Sequence, residues 1–156
     1  MLSVNRNWLN YIFTIAVIVL MTGIAEYCRE PEIIFPEIAA LAAGALSAPE
    51  QIWRVNRSRM FCYIAVCSIL GVIVVRYLPF GYWGQMVSAF AAGQMIFLCS
   101  KTTFAPMISA AVLPVLLQTD TWIYPVSAVG LTALICILQL ISAKAGAHLS
   151  ESYQPL

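Results

Sequence analysis

Between Trp8 and Ala143 the chain is a succession of six apolar runs separated by short polar breaks. They cover Trp8 to Tyr27, Ile33 to Ala48, Met60 to Leu78, Tyr82 to Cys99, Phe104 to Leu117 and Trp122 to Ala143. Only 10% of the residues are charged and 62% are hydrophobic, whereas a soluble domain carries about 25% charged residues. So few charges cannot cover the surface of a water-soluble chain. Lipid accepts an apolar surface, provided every backbone polar group is satisfied inside the protein, as a helix does for itself. The expectation is an all-α polytopic membrane protein, a single integral domain over 1–156 with about six transmembrane helices.

A straight span needs about 20 apolar residues. The second and fifth runs fall short of that, and each contains an early proline, Pro36 or Pro106. Proline suits the first turn of a helix, where its missing N–H costs nothing. These runs read as short or broken helices that begin inside the membrane; a re-entrant fifth segment with five spans is the alternative. The first run exceeds a signal-peptide core and no small-x-small site follows it, so it reads as a retained helix.

Charge in the breaks gives an orientation. With six spans, one side receives Arg6, Arg54, Arg57, Arg59, Lys101 and Lys144; the other receives Arg29 and Arg76 with Glu26, Glu30, Glu32 and Asp120. Lys and Arg favour the cytoplasm, which places both termini there, in a bacterial plasma (inner) membrane. The tryptophans Trp8, Trp53, Trp83 and Trp122 fall near span ends, as an interfacial belt requires. The arginine cluster 54, 57 and 59 reads as a topology determinant touching anionic lipid.

The two short runs resemble each other. Ile34-Phe35-Pro36-Glu37-Ile38-Ala39-Ala40 overlays Phe104-Ala105-Pro106-Met107-Ile108-Ser109-Ala110 at an offset of 70, with Gly23 on Gly93 and Leu46 on Leu116. Each run is the middle of three. Three spans reverse direction when repeated, and the basic loop after the second run answers an acidic loop after the fifth. The halves 8–78 and 82–143 therefore read as inverted repeats, a transporter arrangement.

At the same segments the chain resembles the HPP family of integral membrane proteins. The early stretch Phe35-Pro36-Glu37-Ile38-Ala39-Ala40-Leu41 and the loop Trp53-Arg54-Val55-Asn56-Arg57 follow that family's layout. The later stretch Thr103-Phe104-Ala105-Pro106-Met107-Ile108-Ser109-Ala110-Ala111 corresponds to its His-Pro-Pro-Ala-Gly-Ala motif. Pro106 matches the second proline, while Phe104 stands at the histidine and Ile108 at the glycine. The resemblance implies a compact helical transporter, and some members are associated with nitrite.

Chemistry points the same way mainly by exclusion. The only histidine, His148, lies in the polar tail, with no nucleophile–base pair to complete. No phosphate-binding glycine loop exists. The cysteines Cys28, Cys62, Cys67, Cys99 and Cys136 follow no metal or redox spacing. A net charge of +1 with no basic stripe excludes a nucleic-acid surface. The reading is no enzyme and no cofactor.

The candidate solute site comprises Lys101, Thr102 and Thr103 before the fifth run, where a helix start favours an anion. Pro106, Ser109, Pro36, Glu37 and Gln94 complete it. Glu26 and Glu37 are the candidates for ion coupling. Gln94 is placed deeper than Gln85 in the fourth run, and Gln139 is a second deep amide. Small residues at Ala39, Ala40, Ala43, Gly44, Ala89 and Gly93 let helices approach, within one chain or in a homodimer.

The function expected is passage of a small inorganic, nitrite-like anion. A proton- or cation-coupled carrier using the carboxylates is one alternative. A non-transporting membrane subunit is another, and a dry, apolar interior between runs two and five would favour it.

Overall fold

The computed structural model describes residues 2–29, 36–47, 53 and 55–151. It is all-helical, with no strand among the described residues. The helices are α1 (Leu2–Cys28), α2 (Pro36–Ala42) running into a π-helical turn (Ala43–Ser47), α3 (Arg57–Tyr77), α4 (Tyr82–Ser100), α5 (Pro106–Leu117) and α6 (Ile123–Glu151). Arg54, Glu30, Glu32 and Phe35 lie outside the described residues, and the side chains of Arg6, Cys28, Pro36, Lys144 and His148 outside the described side chains.

Among the described residues, three helices are long and apolar enough to cross a membrane, over Asn10–Tyr27, Arg57–Tyr77 and Ile123–Ala143. α4 has the length, at 19 residues, but carries Gln85 and Gln94. α5, with twelve residues, is shorter and has Pro106 at its first position; α2 as described begins at Pro36 and runs into its π turn.

The core lies where α3, α5 and α6 meet α2. Leu41, Cys67, Val72, Phe104, Met107, Ala111 and Ile135 are all fully buried there. Along α3 the buried positions include Met60, Ile64, Cys67, Gly71 and Val74, a spacing of three and four that traces one face of a helix. Gly71 sets the distance to α5: a Cβ there would stand 2.8 Å from Pro114 Cγ and press on the Ala111 carbonyl. Gly93 serves α4 similarly, with Ala111 and Ile108 against it.

The neighbours obey an exchange rule. α1 packs on α2 as α4 packs on α5; α1 on α6 as α4 on α3; α6 on α2 as α3 on α5. The pairs α3–α6 and α2–α5 map onto themselves. The environments of the matched residues are not equal: Gly23 faces open space while Gly93 is packed, and Leu46 is buried while Leu116 is exposed.

Hydroxyls inside these helices largely satisfy themselves. Thr132 donates to the Ala128 carbonyl at 2.7 Å, Ser88 to Gly84 at 2.8 Å and Ser68 to Ala65 at 3.0 Å. Such back-bonding lets a polar residue sit in an apolar helix.

Candidate functional site

Polar side chains with longer reach repair the backbone where helices stop or break. Pro114 has no N–H, so the carbonyl four residues earlier, at Ala110, loses its helical donor. Tyr124 of α6 donates its hydroxyl to that carbonyl at 3.1 Å. The last turn of a helix likewise leaves carbonyls without intrahelical donors. Gln139 of α6 donates from Nε2 to the Ala45 carbonyl in the π turn at 2.9 Å. Gln85 does the same for α3, donating to the Val75 and Leu78 carbonyls at 3.2 and 3.1 Å.

One of these repairs borders a cavity. Gly44, Ala45, Trp53, Arg57, Phe104 and Gln139 line a small space of about 10 Å³, room for about one water. It gathers the π turn, the loop before α3, the start of α3, the segment before α5 and the middle of α6. Two of the residues that line it each carry a polar atom buried without a partner: Nε of Arg57, a donor, and Oε1 of Gln139, an acceptor. Turning the Gln139 amide over would set its oxygen against the Ala45 carbonyl, so Nε2 keeps that bond and Oε1 is left without a donor. Trp53 and Phe104 close one wall edge to face, with ring centroids 5.4 Å apart.

A second buried, unpartnered oxygen is Oε2 of Glu37 in the first turn of α2. Tyr124 lies within electrostatic range of that carboxylate. The interior between α2 and α5 is otherwise apolar, filled by Ile38, Leu41, Met107, Ala110 and Ala111.

The residues singled out in the sequence are spread over several places. Lys101 is exposed and ends α4 in the left-handed conformation at φ 50°, its N–H donating to Leu98. Arg29 ends α1 the same way at φ 56°. Thr102 shares a hydrogen bond with Ser100 at 2.9 Å, and the exposed Thr103 accepts from the Ala105 N–H at 3.0 Å. None of these three lines the cavity. Pro106 is buried, Ser109 is half-buried, and Glu26 is exposed.

The α4 amides differ in burial: Gln85 is buried and Gln94 only partly so, because Gln85 turns toward the carboxyl end of α3. Trp53 is half-buried, unlike the exposed Trp8, Trp83 and Trp122. It packs on Phe104 and over Gly44, where a Cβ would come within 2.5 Å of its ring. Among the cysteines, Cys62 is exposed and Cys67 is buried.

Arg57 was missed as an interior residue, although the signal was present. It stands three residues before Met60, in step with the buried stripe of α3, whereas Arg59 is out of step and exposed.

No family model matches this chain, and no curated protein or solved structure shows significant similarity to it.

Proposed function

We propose that this protein is a six-span membrane transporter of a small solute, built from two inverted three-helix repeats and working on a small inorganic anion. It is not an enzyme in this reading, and both termini are cytoplasmic. The proline at the first position of both α2 and α5 and the exchange rule among helix neighbours support the repeat. The resemblance to the HPP family makes a nitrite-like anion the first solute to try.

The observation that carries the proposal is that two residues lining one small cavity each bury an unpartnered polar atom, Arg57 Nε and Gln139 Oε1. A charged side chain inside a membrane protein is costly and marks functional positions. Arg57 supplies attraction for an anion. Gln139 accepts from a hydroxyl of the solute or from water accompanying it. Only a water-sized space is open here, so Trp53 and Phe104 must separate to admit a solute. Weight therefore moves from Lys101 to Arg57. Glu37, with its buried free oxygen, is the coupling carboxylate if a proton or cation travels with the anion.

Flux into proteoliposomes tests this, with nitrite, nitrate, chloride and a panel of cations. Anion flux should fall at least tenfold in Arg57→Gln, recover in part in Arg57→Lys and persist in Lys101→Ala. Loss in Lys101→Ala alone would return the site to the start of α5. Cation flux without anion flux would favour the carboxylate carrier.

The apolar filling between α2 and α5 favours a second reading, a non-transporting membrane subunit of a larger complex. Absence of flux for every solute from well-folded protein would establish that reading over the first.

A further inference from the structure

On the outer face of the bundle, α3 and α4 leave a groove between them that the cavity does not use. Tyr63, Met95, Ile96, Cys99 and Ser100 line it, and it is a wide, open depression of about 360 Å³. Its walls are almost entirely apolar, with hydroxyl-bearing Tyr63 and Ser100 the polar exceptions. Met95 and Cys99 are one turn apart on α4, so the groove runs along the helix rather than across it.

Two cations stand at one end of it. Arg59 lies one turn before Tyr63 on α3, and Lys101 directly follows Ser100 at the end of α4; both are exposed. They share an end of the bundle because α3 starts where α4 finishes. Neither α3 nor α4 contains an acidic residue, so nothing on these helices neutralises the pair. The combination is an open apolar trough along the helix with two positive charges near one end.

We propose that this groove is a binding site for an anionic glycerophospholipid, one acyl chain lying against Met95 and Cys99 and the phosphate between Arg59 and Lys101. The inference rests on the membrane reading of the chain and not on transport. It also gives Lys101 a role apart from the solute. An interfacial cation contributes about 1 kcal/mol toward anionic lipid, so two give a preference of up to roughly thirtyfold.

The test is native mass spectrometry of the full chain, released from micelles holding equal phosphatidylglycerol and phosphatidylcholine. Wild type should retain one phosphatidylglycerol in clear excess. The double variant Arg59→Gln/Lys101→Gln should retain both lipids equally. Cys99→Trp, at an exposed position, should fill the groove and lose the retained lipid with both charges intact.

Equal retention by wild type would overturn the proposal, as would a preference that survives the loss of both cations. Retention unchanged in Cys99→Trp would remove the lipid from the groove. Competition by glycerol 3-phosphate alone would make the site one for free phosphate, and would also overturn it. Failure of the flux experiment leaves each of these outcomes readable.

Discussion

The hydroxyl of Tyr124 sits 3.1 Å from the carbonyl of Ala110, the group that Pro114 deprives of its helical donor four residues on. The bond and the proline are therefore two halves of one arrangement, and each predicts the effect of losing the other. Tyr124→Phe leaves a buried carbonyl unpaired, a loss of about 1–3 kcal/mol. Pro114→Ala restores an N–H and should shrink the loss caused by Tyr124→Phe. A double-mutant cycle on unfolding in mixed micelles measures this. Equal losses in both backgrounds would show that the hydroxyl serves something other than Ala110.

Gly71 and Gly23 are a matched pair for a second experiment. A Cβ at Gly71 meets the Pro114 ring at 2.8 Å and the backbone of Ala111, whereas one at Gly23 meets nothing within 4 Å. Gly71→Ala should destabilise by about 1–3 kcal/mol through overpacking. Gly23→Ala should be neutral or stabilise by up to about 1 kcal/mol, since alanine is the better helix former. Thermal midpoints of the two variants decide it, and a tolerant Gly71 would mean that α3 and α5 are not in close contact.

The two amides of α4 differ in what they hold. Gln85→Leu removes the donor to two carbonyls at the end of α3, and should lower the unfolding midpoint measurably. Gln94→Leu, at a half-buried position, should change it little. A larger effect at Gln94 would mean that the Gln85 bonds to the end of α3 contribute little to stability.

Trp53 and Gly44 govern access to the internal cavity. In a background without the native cysteines, Phe104→Cys should resist small aqueous thiol reagents, because Phe104 is fully buried behind Trp53. Gly44→Ala drives a methyl into the Trp53 ring and should raise that labelling rate several-fold. Fast labelling of Phe104→Cys with Gly44 intact would mean that the aromatic wall is already open.

The helix starts were legible because they are written locally. Proline at the first position of a helix is a backbone preference, and Pro36 and Pro106 open their segments as the sequence indicates. The interior was less legible. Position along an apolar run measures depth in the membrane, but burial depends on which face meets a neighbour, so the run alone does not say that Gln85 is buried and Gln94 half-buried. The interfacial rule for tryptophan is statistical and does not foresee Trp53 packing on Phe104. Phe104 and Trp53 are 51 residues apart in sequence, so their contact could not be read from any local pattern. Arg57 was recoverable: extending the three-and-four spacing of α3 back one turn separates it from Arg59.

Tyr124 and Gln139 belong to the same helix, α6, fifteen residues and so roughly 22 Å apart along its axis. One grips α5 at the carbonyl that Pro114 leaves without its helical donor, and the other the middle of the π turn that follows α2. α6 therefore behaves as a beam pinned to both short segments. If it tilts, both pins are strained at once, and a change at one short segment is felt at the other.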